Sequence, residues 1–138
     1  MIFQKFEPFE LKAKIDSKNE YLWCPIRKKW LIFTPEEWVR QQWIAYFLSQ
    51  NYPLTWIISE FTILYYSKKI RLDLALVDNS QNIFLLAEFK NRNYSLGMKD
   101  LNQILRYAKL LNPQRLLISN FDNSYLWEQE NNRWIFLE

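Results

Sequence analysis

The chain has 138 residues, 49% hydrophobic and 18% aromatic, which is enough apolar material for one compact domain with its own core. A single cysteine, Cys24, excludes an intramolecular disulfide framework, and the lack of histidine removes the usual nitrogen ligands of a zinc site. One glycine, Gly97, excludes a Gly-rich phosphate loop; with no secretory leader and no membrane-spanning apolar run the expected compartment is the cytoplasm, and a net charge of +3 is mildly favourable to a polyanion without identifying one.

Phe9, Leu11, Ala13 and Ile15 alternate, Asp16-Ser17-Lys18-Asn19 is turn-like, and Tyr21-Leu22-Trp23 resumes, which predicts an N-terminal β-hairpin over one side of the core. Cys24, beside Pro25, reads as a packed thiol and not a nucleophile. Thr34-Pro35-Glu36-Glu37 is a helix start: Thr34 as N-cap, Pro35 first in the helix, Glu37 closing a capping box, and Phe33 with Trp38 as a hydrophobic staple. That helix is predicted to end near Gln50. Pro53 restarts extended chain, and residues 55–66, rich in β-branched and aromatic side chains, predict one strand or a bent pair before Ser67-Lys68-Lys69. Two apolar runs, 70–77 and 83–90, flank Asp78-Asn79-Ser80-Gln81-Asn82 and predict a second hairpin. A helix from Met98 to Leu111 follows, with its apolar stripe at Leu101, Ile104, Leu105, Ala108 and Leu111, stopped by Asn112-Pro113. Residues 115–119 read as a buried strand, and Asn131-Asn132 centres a terminal hairpin. This order describes an α/β fold, a mixed β-sheet flanked by helices, with the N-terminal hairpin as an addition.

The chemistry concentrates on the second hairpin. A loop centred on Ser80-Gln81 sets Asp73 opposite Glu88, with Cβ atoms roughly 5 Å apart, and two carboxylates so placed can share a divalent cation. Alternation puts Lys90 on the face of Glu88 and Arg71 on that of Asp73; Leu72, Leu74, Leu76, Leu85, Ala87 and Phe89 form the opposite, apolar face. A surface ion-pair cluster is the simpler account of these charges. Against it, the run ending in Glu88 is apolar on both faces, as in an interior strand, where charges need partners or a ligand. Mg²⁺ suits one or two carboxylates with water and phosphate. Gln103 and Tyr107, four apart on the second helix, point roughly 200° to 240° around from Leu101, off the apolar stripe, where they are either solvated surface or a wall of the same site.

The strings Pro25-Ile26-Arg27-Lys28-Lys29-Trp30, Thr34-Pro35-Glu36-Glu37-Trp38-Val39-Arg40-Gln41, Arg71-Leu72-Asp73, Ala87-Glu88-Phe89-Lys90 and Gln103-Ile104-Leu105-Arg106-Tyr107 together resemble the N-terminal nuclease domain of type I restriction enzyme R subunits, from about Phe3 to Asp122. That family belongs to the PD-(D/E)xK nucleases, with a QxxxY element similar to its RecB-like branch. Leu72 stands where the superfamily name has proline, and Phe89 is bulkier than the residue often found between acid and lysine. The resemblance implies a restriction-endonuclease-like fold over residues 1–138, here as a stand-alone domain without the motor of complete R subunits, and a Mg²⁺- or Mn²⁺-dependent DNA nuclease. It also implies that Asp73, Glu88 and the main-chain carbonyl of Phe89 hold the metal and that Lys90 serves the attacking water. Glu37, or Glu36, would approach the metal, and Gln103 with Tyr107 would hold the nucleic-acid backbone. Arg40, Lys68, Lys69, Arg71, Arg92, Lys99 and Arg106 are candidate phosphate contacts. The expected partner is DNA and not a membrane, with a motor or specificity subunit and a second copy of the chain as further candidates. The alternative is a non-cleaving nucleic-acid-binding or assembly module on the same fold.

Overall fold

A computed structural model describes residues 5–137. Nine strands and two α-helices follow one another as β1 (Ala13–Asp16), β2 (Asn19–Cys24), β3 (Lys29–Ile32), α1 (Pro35–Ser49), β4 (Ile57–Tyr65), β5 (Lys68–Val77), β6 (Ile83–Phe89), α2 (Met98–Leu111), β7 (Arg115–Ser119), β8 (Ser124–Glu130) and β9 (Arg133–Phe136). β1–β3 form a three-stranded antiparallel sheet, so the expected hairpin gains a third strand. β4–β9 form a six-stranded sheet in sequence order, parallel only between β6 and β7. Helix α2 makes that one crossover, as parallel neighbours require.

Turn chemistry sets the hairpins. Tyr66 and Ser67 both have positive φ, 49° and 62°, as do Asn131 and Asn132, 51° and 63°, the signature of two-residue turns whose twist matches the strands. Lys68 and Lys69, expected in a break, are therefore strand residues paired with Tyr65 and Leu64. In the 78–82 loop the Asp78 carboxylate accepts from the N–H groups of Ser80 and Asn82, both at 2.9 Å.

Two apolar clusters sandwich the large sheet. Leu74, Leu76, Leu85, Ala87, Phe89 and Leu117 pack with Trp43, Ile44 and Phe47 of α1. On the other face Ala75, Val77, Leu86, Leu116 and Ile118 pack with Ile104 and Ala108 of α2. β6 and β7 are thus buried on both faces, as their continuous apolar runs imply. Leu72 departs from the expected alternation: it joins the α2 cluster with Ala75, although Leu74 lies in the other. The irregularity sits at the missing Glu60/Asp73 pair, where Glu60 takes φ 55° inside β4.

Helix α1 is enclosed on both sides, which explains three buried polar residues, Arg40, Gln41 and Gln42. Gln42 takes both main-chain groups of Phe9, accepting its N–H at 2.7 Å and donating to its C=O at 2.9 Å. Phe6 stacks on Tyr46 at 4.5 Å. Cys24 is buried in the same cluster, as its context suggested, with Ile26 and Leu31 packed against it.

Candidate active site

Asp73 and Glu88 meet where the central strands end. The pairs Leu74/Ala87, Ala75/Leu86 and Leu76/Leu85 give the anticipated register, which one step further sets Asp73 against Glu88. Side chains take over the ladder there. The Phe89 N–H donates to Asp73 Oδ2 at 2.7 Å, and the Asp73 N–H donates to Glu88 Oε1 at 3.3 Å. The two carboxylates are therefore locked side by side by main-chain donors of each other's strands. The Lys90 N–H donates to the Ser119 carbonyl at 3.0 Å, so Lys90 faces β7 with its main chain. Strand alternation then turns the N–H and C=O of Phe89 toward β5, beyond the last paired residue.

Burial, reinforced by the Asp73 charge, pushes the Glu88 carboxyl up to about 9, with Lys90 pulling weakly the other way. Burial and then Asp73 also raise Glu36, against Lys90 and Arg40. Glu36 is thus the glutamate of the helix start that shares the field of Asp73 and Lys90. Glu37 is engaged differently: its carboxylate accepts from Gln41 Nε2 at 3.0 Å and lies 3.8 Å from Arg40. This leaves the capping box half-formed, with Thr34 Oγ1 accepting from the Glu37 N–H at 3.0 Å while the Glu37 side chain turns inward.

Arg40 is not the exposed phosphate contact suggested by its charge. Its guanidinium is buried between Glu37, Glu60 at 3.4 Å and Asp73 at 3.5 Å, with Ser59 Oγ at 3.5 Å. Burial alone would lower it, but those three carboxylates carry it above its ordinary value. Glu60 is absent from the residues expected at the site, because its only signal in the sequence is a lone acid within an aromatic, β-branched strand. Glu60 accepts from Arg71 at 2.8 Å and lies 3.4 Å from Arg27, and these arginines outweigh burial and hold its carboxyl low.

The remaining candidates divide by place. Lys90 Nζ lies 5.2 Å from the Tyr94 ring centroid. Arg92 is held bidentately by Asp122 at 2.7 and 3.0 Å and lies over Trp38 and Phe121, beside a groove of about 580 Å³ lined by Phe33, Pro35, Trp38, Arg92, Asn93 and Asp122. Lys68, Lys69, Lys99 and Arg106 are exposed. Gln103 donates to the Tyr107 hydroxyl at 3.3 Å, and among the described residues neither is hydrogen-bonded to Asp73, Glu88 or Lys90. Tyr107 also packs against the α2 cluster, so it borders the apolar stripe instead of standing clear of it. Missed altogether by sequence reasoning is Ser119, fully buried, whose hydroxyl accepts from Trp43 Nε1 at 2.9 Å and from the Phe121 N–H at 3.0 Å, tying α1 to the end of β7.

Carboxylate and carbonyl oxygens are hard donors, and an acid pair whose proton is retained to about 9 is one that a divalent cation would relieve. No group of three or more acidic, cysteine or histidine side chains is arranged for a metal among the described residues. No helix among the described residues is long and apolar enough to cross a membrane.

The mixed six-stranded sheet between two helices, with paired carboxylates and a lysine at the ends of its central strands, is a restriction-endonuclease-like α/β domain. Residues 35–138 match the family model for the type I restriction enzyme R protein N terminus, and the chain belongs to that family. The match leaves out β1–β3 and the Pro25-Ile26-Arg27-Lys28-Lys29-Trp30 string. No curated protein matches the chain.

Proposed function

We propose that the chain is a metal-dependent nuclease that hydrolyses phosphodiester bonds in DNA, serving a restriction system together with a motor or specificity subunit. The observation that carries this reading is the reciprocal locking of Asp73 and Glu88 by each other's strands, which holds two carboxylates together against their repulsion. A stability role alone gives no reason to keep an acid whose proton is retained so far above its usual range.

Asp73, Glu88 and the Phe89 carbonyl hold Mg²⁺ or Mn²⁺, which when bound supplies Lewis-acid stabilisation of the phosphate and a more acidic water. Arg40 fixes the Asp73 carboxylate from the side of α1, and Glu37 fixes Arg40. Lys90 orients the attacking water and offsets the charge that develops on the phosphate oxygens. Glu36, close enough to sense both Asp73 and Lys90, accepts the proton of that water, directly or through a second water. Gln103 and Tyr107 hold the backbone of the strand to be cut.

The test is incubation with linear, circular, single-stranded and branched DNA, with Mg²⁺ or Mn²⁺. Glu88→Ala and Lys90→Ala are expected to abolish cleavage while leaving DNA affinity within a few-fold; cleavage by Lys90→Ala at the wild-type rate would refute its role. One observation favours a second reading, a non-cleaving module: the Asp73 carboxylate already has Arg40 and the Phe89 N–H as partners. Binding without product, for every DNA form and both metals, decides for the module.

A further inference from the structure

The sheet β1–β3 lies outside the family match. Its inner face covers the core through Leu22, Cys24 and Leu31. The outer face has a different composition. Strand pairing sets Trp23 against Trp30 and Lys14 against Tyr21, and the Trp23 N–H bonds the Lys12 carbonyl at 2.9 Å, so Lys12, Trp23 and Trp30 form one row and Lys14 with Tyr21 the next. Lys12 Nζ lies 4.9 Å from the Trp23 centroid and 5.5 Å from that of Trp30; Lys14 Nζ lies 4.7 Å from Trp30 and 5.7 Å from Tyr21. The lysines are exposed and the three rings half-buried, and Trp23 meets Trp30 edge to face at 5.4 Å.

Charge follows the same division. Residues 12–32 carry six lysines and arginines against two acids, whereas the rest of the chain carries twelve against thirteen. The excess positive charge therefore lies in residues 12–32, with Lys12 and Lys14 on the outer face, Lys18 and Lys28 in the turns and Arg27 paired with Glu60 at 3.4 Å. Asp16, the one acid on the outer face, sits at the end of that face beyond Lys14.

We propose that the outer face of β1–β3 binds single-stranded nucleic acid, with bases stacking on Tyr21, Trp23 and Trp30 and phosphates meeting Lys12 and Lys14. Aromatic rings beside cations are the two elements such binding needs, and stacking requires unpaired bases, because a duplex hides their faces. In the free protein the ammonium groups lie over the rings. An incoming base takes the ring face, and the displaced lysine swings onto the adjoining phosphate. Nothing in this depends on cutting.

Fluorescence anisotropy with a labelled oligothymidine and with a duplex of equal length, in EDTA so that no cleavage contributes, tests it. The wild type is expected to prefer the single strand. Lys12→Glu/Lys14→Glu and Trp30→Thr should each weaken single-strand binding by about tenfold or more, because the first removes phosphate neutralisation and the second a stacking platform, with little change for the duplex. Melting curves report whether the small sheet survives, and should Trp30→Thr unfold it, the exposed lysine pair decides alone. Duplex preference in the wild type, or single-strand affinity unchanged in the folded lysine variant, overturns the proposal. Duplex cleavage by that same variant in Mg²⁺ reads the nuclease activity separately.

Discussion

Glu88 is where the energetics of the site are most exposed to measurement. Its carboxyl is held protonated by burial and by Asp73, so between an ordinary carboxylate value of 4.5 and about 9 the folded state carries a proton that the unfolded state has released. Stability must then fall as pH rises through that window, by at most about 1.4 kcal/mol per pH unit. Urea titrations from about pH 5 to 9 are expected to show this decline in metal-free protein and a flatter profile in Glu88→Gln. An equal slope in both would place the titrating group elsewhere. Arg40 supports the same centre from the opposite side. Arg40→Leu strands Glu37, Glu60 and Asp73 without their shared cation, and breaking a buried pair by removing one partner costs about 3–5 kcal/mol. A loss below about 1 kcal/mol in chemical denaturation would mean that the acids relax into solvent.

Helix α2 and the β4–β5 turn show how elements divide the labour. Ile104 is fully buried against β6 and β7, so Ile104→Ala should cost about 2–5 kcal/mol. Gln103→Ala loses one bond to a neighbouring hydroxyl and should stay within about 0.5 kcal/mol while depressing cleavage or DNA binding. Paired melting and nuclease assays separate the two roles. Tyr66 and Ser67 both occupy the left-handed region without being glycine or asparagine. Tyr66→Asn with Ser67→Gly should therefore stabilise by about 1 kcal/mol, read as a shift of the urea midpoint.

On the scale of the whole molecule, the proposed metal would be linked to the fold. A cation held by Asp73 and Glu88 would bind only when β5 and β6 are paired, so Mn²⁺ at about 100 times its Kd should add about 2.7 kcal/mol to stability. The rise in melting temperature should vanish in Asp73→Ala, and a rise of the same size there would exclude this pair as the ion's site. Cation binding should also erase the pH decline of the metal-free protein, since it takes the place of the Glu88 proton.

The hairpin register, both long helices and the buried strand β7 were legible in the chain because each rests on local physics. Alternation, capping and turn residues act within a few positions, but the loop itself closes on Val77 and Ile83, and it takes the irregularity between Leu76 and Val77 to bring Asp73 opposite Glu88. The pattern of Thr34-Pro35 and Asn112-Pro113 bounded the helices for the same reason. What surrounds the carboxylates could not be read this way. Arg40, Gln41 and Gln42 look like a solvated helix face, and only the sheet on one side and the Phe6–Phe9 segment on the other bury them. Glu60 is the partner of three arginines, and Leu72 changes faces where β4 and β5 break their pairing at Glu60 and Asp73, a position visible only once the two clusters on either side of the sheet are in place. Burial, charge compensation and the proton on Glu88 are properties of neighbours brought together from several elements. Local sequence determines which residues can be neighbours along a strand or helix, and the tertiary structure decides which charges must share a low-dielectric space.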